Sequence, residues 1–186
     1  MRVRARPMTA SRSLPRLAVV LALLCPPAPA PAQTALETAV KATFLYKFAP
    51  FVEWPASQSV PSAPFAICVI GKDPFGSALD RAVNGQRVGA RPVVVRRLSV
   101  AAPDSPCQIA YLGGSRTQSV REGLGLLRQA PVLTVTEDPS ERGIVEFTSA
   151  GGRVRFRLDD QAAAEAGLTI SSKLLGLALS VTPRKE

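Results

Sequence analysis

The sequence predicts an α/β fold: a three-layer sandwich on a mostly parallel sheet, with an antiparallel edge hairpin and helices on both faces. Two observations predict it. Short runs rich in β-branched and apolar residues, FAICVIG (65–71), RPVVVRRL (91–98), CQIAYLG (107–113) and PVLTVTE (131–137), recur between segments of helical spacing. Such runs suit strands covered on both faces, the arrangement of parallel sheets. GIVEFTS (143–149) and RVRFRLD (153–159) then meet through Ala150-Gly151-Gly152, and two glycines take the positive φ of a tight hairpin turn at little cost.

The first thirty-two residues read as a secretion signal rather than as part of the fold. Arg2, Arg4, Arg6, Arg12 and Arg16 form a basic start without an acid, LAVVLALL (17–24) follows, and Ala30-Pro31-Ala32 supplies a small-residue cleavage pattern ahead of Gln33. The apolar run is far below the roughly 18–20 residues of a bilayer span. Cys25 offers a lipidated alternative, but the bulky Leu24 stands where a small residue is needed. The chain is therefore expected to be exported and the signal cleaved. Residues 33–186 suit one domain with one sizeable core.

Along that domain, Ala35 to Trp54 has helical spacing and carries half of the ten aromatic residues of the chain. PASQSVPSAP (55–64) reads as a loop. Asp73-Pro74 opens a helix to about Val83, and Ser115 caps one that runs to about Gln129. Asp159 or Asp160 caps a short helix ended by Gly167, and Ser171 caps a last one carrying Leu174, Leu175, Ala178 and Leu179.

Charge and composition exclude several function classes. Five of the 23 basic residues and none of the 14 acidic ones lie in the first 32 positions, so the remainder carries +4 and argues against a nucleic-acid partner. RVRFR (153–157) is the densest basic cluster left; its alternation with Val154 and Phe156 is that of a half-buried strand with one face in water. The chain contains no histidine, which removes Ser-His and Cys-His nucleophile pairs, the imidazole base and the commonest metal ligand. Two cysteines after the signal make a zinc or iron-sulfur site improbable. No cofactor, metal or catalytic residue is expected. Asp159-Asp160 and Ser171-Ser172-Lys173 resemble acid-base and Ser-Lys groupings in composition only; both read as helix caps.

Two loops carry a weaker signal. Gly71-Lys72-Asp73-Pro74-Phe75-Gly76-Ser77 has the glycine spacing of a phosphate loop, yet Ser77 stands where its lysine belongs. Gly113-Gly114-Ser115-Arg116 also follows a strand and precedes a helix, where backbone N–H groups suit an anion. Lys72, Asp73, Ser115 and Arg116 are the candidate ligand-binding residues, with plain turn chemistry as the competing reading. Cys68 and Cys107 lie at strands that can be neighbours, and thiols of an exported protein normally pair; two buried free thiols are the alternative.

In the aromatic helix, Val40, Phe44, Phe48 and Phe51 fall on one stripe at 100° per residue, with Leu45 and Val52 on its shoulder. Tyr46, Pro50 and Glu53 point the other way. Tyr46 and Glu53 are the candidate partner-binding residues, a solvated face being the alternative.

VKATFLYKFAPFVEWP, FAICVIGKDPFG, the cysteine at 107, PVLTVTE, RGIVEF, GRVRFRLD and GLTISSKLLGLA occur in the order and character that resemble the YfiR family, over essentially residues 36–181. The resemblance implies a periplasmic α/β regulator, often dimeric and without enzymatic activity. It implies binding to the periplasmic part of a membrane-bound diguanylate cyclase, holding it inactive and lowering cyclic di-GMP and biofilm formation. It also implies a disulfide between Cys68 and Cys107. A second cysteine pair found in some members is absent, Pro50 falls within the expected first helix, and Asp159 stands where an asparagine is usual. Relatives beside sensor kinases or transport systems leave a small-ligand sensor as the second functional class.

Overall fold

The structure, a computed structural model, describes residues 31–56 and 63–185. The basic and apolar stretches expected to direct export, and most of the 55–64 loop, lie outside the described residues.

Helix α1 (Pro31–Phe48) tightens into a 3-10 turn at Ala49–Phe51 and leaves as a two-residue strand, β1 (Val52–Glu53). The expected helix to Trp54 is thus overturned at Pro50. Inside a helix its ring would clash with the carbonyl four residues back, whereas in the first turn of the 3-10 segment its missing N–H is harmless. Glu53 therefore sits on a strand, not on the helix face of Tyr46.

There follow β2 (Phe65–Gly71), α2 (Ser77–Val83), β3 (Arg87–Val88), β4 (Arg91–Leu98), β5 (Ile109–Gly114), α3 (Val120–Leu127) and β6 (Leu133–Thr136). The chain ends with β7 (Val145–Ala150), β8 (Arg153–Asp159), α4 (Asp160–Glu165), β9 (Thr169–Ile170), α5 (Ser172–Leu175) and β10 (Val181–Thr182). The main sheet has the order β10-β8-β7-β6-β5-β2-β4-β3, and β1 pairs with β9 in a small second sheet. Its centre, β4-β2-β5-β6-β7, is parallel; β7–β8 and β3–β4 are antiparallel. The hairpin lies near one edge, with β10 laid outside part of it.

Alternation along the strands divides the interior in two. Phe65, Ile67 and Val69 of β2 join Ile109, Tyr111, Leu133 and Val135 beneath α1 and α2. Cys68, Ile70, Ala110 and Leu112 face the other way and meet Leu127 of α3. These are the two seams of a three-layer sandwich, since each parallel strand buries both of its faces. Phe48 is 1% exposed, and its ring centroid lies 5.1 Å from that of Phe156 and 6.1 Å from that of Phe147. Most of the aromatic cluster is core.

Local chemistry shifts several helix starts. The Asp73 carboxylate accepts the N–H groups of Phe75 and Gly76, which fixes a turn, and Gly76 at φ +46° delays α2 to Ser77. Ser115 likewise closes a turn, and α3 is capped instead by Ser119 in a capping box with Glu122. Asp159 caps α4 and Ser171 caps α5. Helix α5 stops at Leu175, so Leu179 continues as chain whose N–H donates to the Phe156 carbonyl.

Candidate functional site

In the sheet, β2 is flanked by β4 on one side and β5 on the other, so the chain changes direction across the sheet at β2. Ligands of open α/β sheets bind in the crevice at the carboxyl ends of such strands. Both glycine loops arrive there. Lys72 N–H donates to the Gly114 carbonyl at 2.8 Å. A Cβ at Gly71 would stand 2.3 Å from Gly114 O, and one at Gly113 would stand 2.0 Å from Lys72 O. The glycines thus let two backbones touch, and backbone fills the crevice.

Most main-chain donors nearby are engaged within the chain. Phe75 and Gly76 donate to Asp73, Thr117 and Gln118 to Ser115 Oγ, and Ser115 N–H to the Gln118 carbonyl. Ser119 N–H donates to Glu122, and that bond, with the Ser119 hydroxyl, holds the Glu122 carboxyl below its ordinary value. Arg97 reaches from β4 to Asp73 at 2.8 Å and to Asp80 at 2.7 Å; its hydrogen bonds to these two carboxylates raise its pKa, and its bonds lower that of Asp80. Of the four candidate ligand residues, Asp73 and Ser115 therefore brace turns, while Lys72 and Arg116 are exposed.

The same centre holds the cysteines. Cys68 pairs in register with Ala110, and Cys107 stands two residues before β5, so adjacent parallel strands bring the two Cα atoms to 5.7 Å and a disulfide joins them. Both are buried among Ile70, Ala101, Leu112, Leu127 and Val132. It is a staple in the smaller of the two cores, closed to solvent.

Tyr46 and Glu53 part company. Tyr46 is half-buried against the large core, with Lys47 Nζ 5.1 Å from its ring centre. Glu53 is exposed on β1 opposite Thr169. Stripe counting centred the core face on Phe44 and Phe51, the latter beyond the helix; from α1 through the 3-10 turn the buried positions are Lys41, Ala42, Leu45, Phe48 and Ala49, which centres that face on Leu45 and leaves Phe44 and Tyr46 at its two margins.

Lys41 is the residue that sequence reasoning missed. It is 7% exposed, pairs with Glu37 one turn back at 2.6 Å, and also hydrogen-bonds Glu137 at the end of β6. Tyr111 OH donates to the other Glu137 oxygen at 3.4 Å. Burial opposes the charge on Lys41, but the hydrogen bonds to Glu137 and Glu37 outweigh it and raise its pKa. The bond from Lys41 lowers that of Glu37. Burial foremost, then the charge of Glu137, raises that of Tyr111. The cluster ties α1 to the carboxyl end of the sheet. Its signal in the sequence is a lysine three and four residues before Phe44 and Leu45, on the side of the helix that packs.

Among the described residues no helix is long and apolar enough to cross a membrane, and no group of three His, Cys, Asp or Glu could hold a metal ion. Fold and polar groups together define a class: a three-layer α/β domain with a buried staple, whose buried charges brace elements against each other. A family model matches residues 38–179, and the chain belongs to the YfiR/HmsC-like family. That family is regulatory and non-catalytic; its members are periplasmic and engage the periplasmic domain of a membrane protein in cyclic di-GMP signalling. A search of curated proteins found no match.

Proposed function

We propose that the protein is a periplasmic repressor that binds the periplasmic domain of a membrane-bound diguanylate cyclase and holds it inactive, without turnover of its own. The observation that carries this reading is the family match across nearly the whole described fold, from within α1 to the segment after α5. The working unit is residues 33–186, freed from a cleaved signal and able to form a homodimer. Glu53, exposed on β1, and the accessible part of Tyr46 are its proposed contacts.

The crevice between Gly71 and Gly114 supports a protein partner over a small anion, because the two backbones close on each other there and the Lys72, Phe75, Gly76, Ser115, Thr117 and Gln118 N–H groups already have partners within the chain. The test is capture from solubilised membranes of the source cells after cross-linking at Glu53, followed by identification of the cross-linked protein. A membrane protein with a cyclic di-GMP-producing output domain is the expected product. Cross-linking to a sensor kinase or a transport component would replace the cyclase as target.

A further inference from the structure

The hairpin edge carries an unclaimed surface. Strand β8 has β7 on one side along its whole length, whereas β10 covers the other side only at Leu158 and Asp159. Leu158 N–H donates to the Ser180 carbonyl and the Phe156 carbonyl accepts from Leu179, so residues 154, 156 and 158 turn their main-chain groups away from β7. At Val154 and at the Phe156 N–H no strand meets them among the described residues. This open edge is about 10 Å long at 3.3 Å per residue.

Side chains on its two faces differ in kind. On one face stand Arg153 and Arg155, both exposed, and neither is held by a hydrogen bond or ion pair among the described residues. Their neighbour Arg157 is paired with Glu146 at 2.9 Å, while the residues opposite Arg155 and Arg153 are Thr148 and Ala150. On the other face, Val154 opens onto a cavity of about 500 Å³ that Leu36 and Val40 of α1 also line, with Arg153 at its hairpin rim and Glu37, already paired with Lys41, beside them. Leu36 is 66% exposed there.

We infer that the open edge of β8 receives an extended, acidic segment of a partner protein by strand addition. Its main chain pairs with Val154 and the Phe156 N–H, its carboxylates meet Arg153 and Arg155, and the apolar side chain between them enters the cavity beside Leu36. A strand alternates its side chains between faces, so one segment of acidic-apolar-acidic pattern satisfies all three features at once. A second copy of this chain does not fit: edge-to-edge pairing of two β8 strands would set arginine against arginine on one face, and like charges across strands repel. The inference rests on the reading that the protein acts by binding another protein, and it places a contact about which that reading is silent.

The test uses the peptide Glu-Leu-Glu-Leu-Glu, with Lys-Leu-Lys-Leu-Lys as control, titrated into the protein while amide exchange is followed residue by residue. Expected are saturable binding of the acidic peptide alone and at least tenfold slower exchange at Val154 and Phe156. Affinity should fall at least tenfold in Arg153→Glu with Arg155→Glu, at an unchanged melting temperature. Absent binding, binding without protection of Val154, or binding indifferent to the charge reversal overturns the inference. The arginines would then serve only to keep a bare edge from pairing. Attachment to phosphatidylglycerol vesicles that the reversal abolishes, with no peptide bound, overturns it in favour of a lipid surface. Capture of the same membrane partner by the wild type and the reversed variant, with no peptide binding, removes the strand edge and spares the partner reading. Peptide binding as expected without any captured membrane protein does the converse.

Discussion

Reducing the Cys68–Cys107 bridge should lower stability by about 4 kcal/mol. The two residues are 39 apart in sequence, and a loop of that length costs roughly 13 cal/mol/K of closure entropy when it is no longer held in the unfolded chain. For a domain of this size each kcal/mol moves the melting temperature by about 2–4 °C, so the shift should be about 8–16 °C. Both cysteines are almost fully buried, and reduced thiols keep their volume. Cys68→Ala with Cys107→Ala removes that volume as well, adding on the order of 1 kcal/mol per site, the scale of a deleted buried methylene. Urea denaturation of the oxidised, reduced and doubly substituted proteins separates the two terms. The oxidised protein should also show no titratable thiol once residues 1–32, with Cys25, are gone. A reduced protein within about 1 kcal/mol of the oxidised one would refute the argument, and would mean that the unfolded chain keeps the two strands together by itself.

Phe48→Ala should cost about 3–5 kcal/mol, read by denaturant midpoint, and the half-buried Phe44→Ala distinctly less. Lys41→Met should cost about 1–2 kcal/mol at neutral pH, a modest figure because the Glu37 and Glu137 side chains are 36% and 39% exposed and rehydrate. Glu37 has its folded pKa below the ordinary 4.5, so its contribution is full above that value and is lost as acid protonates it; the gap between wild type and Lys41→Met should narrow below about pH 4.5 in pH-dependent melting curves. Gly71→Ala combines a φ of +81° with a Cβ 2.3 Å from the Gly114 carbonyl, and should cost about 3 kcal/mol or more or prevent folding, seen as loss of soluble protein.

The central strands were legible because FAICVIG and PVLTVTE are short β-branched runs with no charge before their ends, as a strand covered on both faces requires, and the hairpin because Gly151 and Gly152 mark its turn at φ +58° and +70°. Strands β1, β3, β9 and β10 have two residues each, too few for any period to show. The α3 cap was readable in Ser119-Val120-Arg121-Glu122, a capping-box pattern that the nearer Ser115 obscured. Around the candidate site, the pairing of Cys68 with Cys107 was foreseeable from export and strand position, with free thiols as the alternative. The closing of the crevice was not, since whether two glycine loops admit a ligand or each other depends on the register of β2 and β5, which shifts between Ile70 and Gly71. Lys41 stayed hidden because its two carboxylates lie 4 and 96 residues away, and only the fold brings the second one to it.

The most direct test of the central claim is the cellular level of cyclic di-GMP after deletion of this protein, restored with an exported wild-type copy. Repression of a diguanylate cyclase predicts a rise on deletion and a return to the starting level on restoration. An unchanged level in cells where the protein is normally made and exported would contradict it.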